Sequence, residues 1–379
     1  MAGIYLHIPF CVKKCDYCDF TSFACNGGVP EAYVDALLRE IETVARTGEY
    51  PASFNTVFFG GGTPSLLTGA QMQRIMEALH ARFPISGDSE CSMECNPGTA
   101  TRENLAAYHS AGINRLSIGL QSSQDVLLKS IGRIHTFEQF LETLRFARDA
   151  GFQNVNTDVM HGLPGQTSDS YLDTLKTVCD LGVQHVSSYA LILEEHTPLF
   201  LSVQQKEIGL PDEDAVADMQ DAGIDYLESR GYRRYEISNF AREGYECRHN
   251  LNYWHNGEYL GFGVAAHSAL RLKSWTRLAN VDTVEGYLRF VGKGRRPAVE
   301  SIRLQRADEM FETVMLGLRL TEGLGRAAFQ ARFGVDITEA YPVAMDALRK
   351  RGWVEETPDR IFLNRKGLDL QNEALQFFM

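Results

Sequence analysis

The stretch Ile4-Tyr5-Leu6-His7-Ile8-Pro9-Phe10-Cys11-Val12-Lys13-Lys14-Cys15-Asp16-Tyr17-Cys18 decides how the rest of this chain is read. Its apolar, β-branched opening, Ile4–Ile8, predicts a strand. Three cysteines follow at once, spaced Cys11-x3-Cys15-x2-Cys18. Thiolates at this spacing can wrap one iron–sulfur cluster and leave its fourth iron open to a small chelating molecule. A zinc site or plain reduced thiols are the alternatives. Structural zinc wants four closed ligands, usually as two separated pairs, and no second pair lies nearby in the sequence. The motif sits at the C-terminal end of the first predicted strand, where a barrel keeps its active site.

Outward from that stretch, two periods alternate. Strand-like runs recur at Ile4–Ile8, Thr56–Phe59, Cys91–Glu94, Arg115–Gly119, Val155–Val159 and His185–Leu191. Between them lie helical spacings over Glu31–Arg46, Gly69–Arg82, Arg102–Ala111, Gln124–Ile131, Phe137–Ala150 and Ser168–Leu181. Strand alternating with helix predicts an α/β fold with a parallel sheet. Six units without a dinucleotide glycine fingerprint favour an incomplete (β/α)6 TIM-type barrel. The pairs Ala111-Gly112 and Ala150-Gly151 predict glycine helix ends.

Beyond Leu191 the pattern loosens. Residues Glu194–Pro211 read as a long loop, Glu213–Arg230 as a helix, and Tyr232–Trp275 as an irregular aromatic stretch. The tract Gly292–Pro297, basic and rich in Gly and Pro, reads as a linker. It divides the chain into residues 1–291, a barrel (core 1–195) with its extension (aromatic region 232–275), and residues 292–379. In the latter, helices over Ala307–Arg319, Arg326–Phe333 and Val343–Arg351 precede a ribbon of Trp353-Val354 and Ile361-Phe362. This is a small, mainly helical unit in winged-helix order.

The composition narrows the class. The chain has 379 residues and is 44% hydrophobic, which excludes disorder as the dominant state. Its net charge of −12 argues against a nucleic-acid partner, which usually meets a basic stripe. Eight cysteines are too few for a disulfide scaffold of this size. No signal peptide and no run of transmembrane length is recognisable, so the cytoplasm is the expected compartment, without an integral membrane segment. Cys25, Cys91, Cys95 and Cys179 read as small buried hydrophobes.

The cysteine motif, with Tyr17 before its last member, resembles the radical S-adenosylmethionine (radical SAM) superfamily. Gly60-Gly61-Gly62-Thr63-Pro64 follows the second predicted strand and looks like that superfamily's glycine-rich segment for the SAM amino group. Glycines there let backbone groups approach a ligand closely. Glu94, Gln121, Arg133 and Asp158 fall at later strand ends or in the loops after them. By resemblance to the coproporphyrinogen oxidase-like branch, Arg133 would pair with the SAM carboxylate, which suits a guanidinium fork. Glu94, Gln121 and Asp158 would share the ribose hydroxyls and the amino group. Tyr5, Gly61, Gly62, Thr63, Ala190 and Val264 match further SAM-site positions. For Tyr5, Ala190 and Val264 plain core packing is the alternative.

Within that branch, the oxygen-independent coproporphyrinogen oxidase group carries a further cysteine two positions after the third and a long segment before the cysteines. Here Phe20 occupies that position, and Cys11 lies near the start. Both departures point to the HemW group of haem chaperones. Cys247-Arg248-His249-Asn250-Leu251-Asn252-Tyr253-Trp254 is similar to that group's H-N-x-x-Y-W motif, and Tyr235–Phe240 before it is also typical. His and Cys are proper axial ligands for haem iron, and aromatic rings can cover a porphyrin face. The haem-binding candidates are therefore His249, Cys247, Asn250, Tyr253, Trp254 and His255, with a hydrogen-bonded corner as the alternative. The resemblance implies a protein that carries a [4Fe-4S] cluster on Cys11, Cys15 and Cys18, with SAM, and takes haem as cargo for a recipient haem protein, respiratory ones included. It leaves the oligomeric state open, a homodimer among the options. Two rival expectations are an oxidase acting on coproporphyrinogen III and a radical SAM enzyme with another substrate.

Overall fold

Residues Ala2–Ile8 form the first strand, β1, in the computed structural model, which describes residues 1–379. β2 (Phe54–Gly61), β3 (Ile85–Cys95), β4 (Arg115–Gln121), β5 (Asn154–His161) and β6 (His185–Ala190) follow. Each pairs in parallel with its predecessor. Helices Glu31–Ala45, Gly69–Arg82, Arg102–Ser110, Phe137–Asp149 and Ser168–Asp180 make the crossovers. The strand order is linear and does not return on itself, so the six units form an incomplete barrel.

Local signals set the helix limits. Thr68, Thr136 and Thr167 each accept from a backbone N–H three residues on, and the side chain there accepts the threonine's own backbone N–H, so each helix start is fixed reciprocally. Gly112 and Gly151 leave their helices at φ +102° and +101°, as the Ala-Gly pairs predict.

The two faces of the strands differ in chemistry. On β4, Leu116, Ile118 and Leu120 join the main core of 55 buried residues, while Arg115, Ser117, Gly119 and Gln121 point inward. Barrel interiors are usually filled by Val, Ile and Leu. Here Tyr5, Phe58, Glu94, Asp158 and Ser187 line a cavity instead.

Three expectations change. The loop at 194–211 contains the helix Pro198–Gln204, capped by Thr197 and anchored by buried Leu199 against Leu127, Ile131, Met160 and Leu163. It is too short to show a period. The aromatic stretch 232–275 is regular for much of its length. It holds the helix Arg248–Trp254 and the strands Asn239–Ala241, Glu258–Phe262 and His267–Arg271. Glu258–Phe262 runs parallel to β1 on its free side, and the sheet reaches twelve strands. Finally, Ala298–Arg303, just past the Gly292–Pro297 tract, pairs with Trp275–Asn280. That tract is thus a turn between a helix and an edge strand of the main sheet.

A second core of 16 buried residues, from Val314 to Phe378, supports a separate unit beginning after that strand. Its helices Arg306–Gly317, Arg326–Phe333 and Pro342–Arg351 lead into the hairpin Val354–Glu356/Arg360–Leu363, the order of a winged helix. Arg271 paired to Glu309, and Arg332 donating to the Asn256 carbonyl at 2.9 Å, join the two units. No helix is long and apolar enough to cross a membrane.

Candidate functional site

A cavity of about 560 Å³ runs inside the barrel from the cysteine loop at the strands' C-terminal ends. Its size is that of a small-molecule or cofactor pocket. Cys11, Cys15 and Cys18 all line it. The loop that carries them is held from several sides. Phe10–Cys11 pairs with Phe23–Ala24, and the Asp16 N–H donates to Ile131 O at 3.1 Å. Burial raises the thiols of Cys11 and Cys18. Thr63 Oγ1 donates to Cys11 Sγ at 3.3 Å, and Arg133 Nη1 to Cys15 Sγ at 3.7 Å, so cationic and hydroxyl donors stand ready for thiolates. No three His, Cys, Asp or Glu side chains converge closely enough to hold one metal ion. Three soft donors spread along one wall instead suit a multi-iron cluster, in which each thiolate meets a different iron.

The glycine segment is tied to that loop. Gly62 N–H donates to Ile8 O at 2.9 Å and Thr63 N–H to Phe10 O at 2.8 Å. A Cβ on Gly62 would lie 2.8 Å from the Phe10 backbone, and one on Gly61 2.5 Å from the His7 ring. Gly61 also has φ +111°, a conformation that glycine adopts freely. His7 Nε2–H donates to Thr21 O at 2.8 Å, so its Nδ1 accepts from the Tyr5 hydroxyl at 3.0 Å. The neutral ring is favoured there, because burial lowers its pKa.

Charged groups ring the same space. The Gly61 N–H donates to Glu94 Oε2 at 3.1 Å. Burial, then the nearby Asp158 carboxylate, push Glu94 up to about 7. Burial also raises Asp158, which accepts from Asn156 Nδ2 at 2.7 Å and Ser117 Oγ at 3.3 Å. Gln121, at φ 70°, accepts from the Tyr189 hydroxyl at 3.2 Å. Arg133 donates to Asn96 Oδ1 at 3.1 Å and to the Gly119 carbonyl, and its Nε is buried without a partner. Soft donors, a glycine cradle and an unsatisfied guanidinium nitrogen in one cavity fit an iron–sulfur cluster with an amino-acid-bearing ligand.

Not every expected residue meets there. Tyr5, Gly61, Gly62, Thr63, Glu94, Gln121, Arg133 and Asp158 line the cavity. Ala190 lines a separate cleft of about 40 Å³ with His161 and Tyr171. Val264 is fully buried, and its N–H donates to the Tyr33 hydroxyl at 3.1 Å.

The haem candidates also divide. His249, Asn250 and Tyr253 face the cavity from its floor. Both ring nitrogens of His249 are engaged, with the Thr56 hydroxyl at 2.8 Å and the Tyr253 hydroxyl at 2.9 Å. The ring stacks on Phe58 at 5.0 Å. Cys247 is fully buried, its thiol pushed up to about 12 by burial, and it donates to Glu90 at 3.6 Å. Trp254 carries Arg319 over its ring at 5.6 Å, away from the cavity. His255 is exposed and lies 3.6 Å from Glu322.

Burial, then the Arg115 charge, lower His249 to about 3. Folding thus favours the neutral ring. The stability it gives is present above its ordinary value of 6.5 and is lost as pH falls through about 3. His249→Ala is expected to cost roughly 2–4 kcal/mol at pH 7 through lost packing and hydrogen bonds. The gap in urea midpoint between parent and variant should narrow from pH 6.5 towards 3; a constant gap would contradict the buried neutral ring.

The sequence reading overlooked Arg115, Asn96, Asn156 and Tyr189, which all line the cavity. Arg115 and Asn156 lie on inner strand faces, and the available signal was polar residues at alternate positions of strands otherwise apolar throughout.

The chain's similarities accord with this geometry. The model of the radical SAM superfamily matches residues 5–178, and that of the HemN C-terminal domain matches residues 304–370. A protein named heme chaperone HemW from Bacillus subtilis is 34% identical over 100% of this chain and 99% of its own length. Its namesake from Escherichia coli is 37% identical, over 100% and 98%. The structure of coproporphyrinogen III oxidase (HemN) from Escherichia coli, described as a radical SAM enzyme, superposes with a TM-score of 0.85 at 26% identity, covering 100% of this chain and 89% of the other.

Proposed function

The chain belongs to the HemW family of the radical SAM superfamily, and from that premise we propose that it is a haem chaperone, binding haem and passing it to a recipient haem protein. The observation that carries the site assignment is the meeting of Cys11, Cys15 and Cys18 with the cradle of Gly61, Gly62 and Thr63 and with Arg133 in one cavity. The three cysteines would hold a [4Fe-4S] cluster. Gly61, Gly62, Thr63, Glu94, Gln121, Arg133 and Asp158 would hold SAM. When bound, the cluster offers an open iron for chelation and a source of single electrons. The chain's own part is to fix that pair, exclude bulk water and neutralise charge. Arg133 stays charged at any working pH and supplies a cation beside Cys15.

The second reading, a radical SAM oxidase of coproporphyrinogen III, has the whole-chain likeness to the HemN structure in its favour. Against it stands Phe20, 68% exposed, where the oxidase-like pattern has a cysteine. Haem titration tests the first reading. A saturable Soret shift at about one haem per chain is expected, and no saturable shift would overturn it.

Glu94 gives a finer test. At about 7 its carboxyl is mostly neutral in acid and mostly ionised in alkali. A cationic amino group on the ligand favours the ionised form. SAM affinity should therefore rise as pH passes upward through 7, by up to roughly tenfold. Glu94→Gln should bind SAM more weakly with a flat profile. A variant that keeps the parent's slope would remove Glu94 from the SAM site.

A further inference from the structure

Arg115 opens β4, at the end of the barrel away from the cysteine loop. It is only 2% exposed, yet it lines the cavity floor. Its Nε has no hydrogen-bond partner, and nothing acts on the guanidinium except charges at a distance. A guanidinium does not shed its proton, so burial leaves a real charge there. Leaving such a charge unpaired is costly, and native proteins rarely do so without a use for it.

The acids nearby are already supplied with donors. Glu90 accepts the N–H groups of Arg248 and His249 at 3.1 and 3.2 Å, together with the Cys247 thiol. It is committed to the start of the helix that closes the floor. Asp158 is committed to Asn156 and Ser117. Asn156 is itself spent: its oxygen accepts from His185 Nδ1 at 2.6 Å and from Ser187 Oγ at 3.2 Å. Arg115 therefore holds the spare hydrogen-bonding capacity of the floor, in the form of a planar fork facing open space.

We infer that Arg115 anchors a carboxylate subsite on the barrel floor, against which a ligand entering from the cysteine rim lays one carboxylate as a bidentate pair. Such pairs match guanidinium geometry and are among the strongest hydrogen-bonded contacts. On the function proposed above, haem carries a suitable group, a propionate, whereas the SAM carboxylate is assigned to Arg133 beside Cys15 at the rim. The inference rests on that function for the identity of the ligand and on the floor geometry for the subsite.

The test uses the full chain, reconstituted anaerobically, with Arg115→Gln and Arg115→Lys. The probes are haem, haem dimethyl ester and, as the control for the rim, SAM. Arg115→Gln should weaken haem roughly 10- to 100-fold while the dimethyl ester binds as to the parent. Arg115→Lys, keeping charge without the fork, should fall between. SAM, whose carboxylate is assigned to Arg133, should bind as to the parent. The urea midpoint of Arg115→Gln should equal or exceed the parent's, because an unpaired buried charge is removed. Equal weakening of haem and its ester, unchanged binding of haem, or a midpoint lowered as by a core substitution would each overturn the subsite. If the parent does not bind haem, the proposed function falls with it. If the parent binds and the variant binds equally, the subsite alone falls.

Discussion

Cys15→Ser is expected to abolish the brown iron–sulfur absorbance after anaerobic reconstitution and to leave bound iron at background. Iron–sulfur clusters are held by thiolates, and a serine hydroxyl is a hard, protonated donor that does not replace one. The change should cost little fold stability. Cys15 is half-buried, and its sulfur has one polar contact, with Arg133 at 3.7 Å. A stability change within about 1 kcal/mol is expected for such a position. Cys25→Ser is the control. Its thiol donates to the Gly28 carbonyl at 3.3 Å, and the residue lies outside the cavity lining. It should keep full absorbance. Iron retained at the parent level by Cys15→Ser would remove the cysteine from the cluster.

Gly62→Ala is the second large effect. The added methyl meets backbone, not a yielding side chain: Phe10 N and O at 2.8 Å and Ile8 O at 2.9 Å. The same residues carry the hydrogen bonds that tie the glycine segment to the cysteine loop. The loop must move outward, and overpacking of this kind costs about 1–3 kcal/mol. Cys11 moves with it, because it adjoins Phe10 and takes its hydrogen bond from Thr63. Cluster loading and SAM affinity should fall together, SAM by at least roughly tenfold. Parent-level SAM binding in Gly62→Ala would contradict the cradle.

The barrel was legible because each of its six units carries its own signal. The strands are β-branched runs, and the helices start at threonines three residues ahead of a side chain that accepts their backbone N–H, or end at Gly112 and Gly151. The extension was not legible, because its order comes from distant partners. The helix Arg248–Trp254 has its first N–H groups satisfied by Glu90. The strand Glu258–Phe262 pairs with β1 and contains Gly261, where a Cβ would collide with the His267 carbonyl at 2.0 Å. In one dimension these residues look only aromatic and glycine-rich. The cysteines and the glycine segment could be read because their spacing is itself the chemistry. The isolation of Arg115 could not, because it depends on where Glu90 and Asp158 find their donors.

The division of the haem candidates has the same origin. A seven-residue helix turns His249, Asn250 and Tyr253 towards the floor and carries Trp254 away from it, with His255 following at its end. Adjacency in the motif therefore does not mean a shared surface.

One measurement bears most directly on the central claim. The parent protein, reconstituted with iron and sulfide and supplied with SAM and reductant, is divided between haem with an apo-haem acceptor and coproporphyrinogen III. The account predicts saturable haem binding, transfer of that haem to the acceptor, and no protoporphyrinogen. Protoporphyrinogen formed in many turnovers, with no haem passed on, would contradict it.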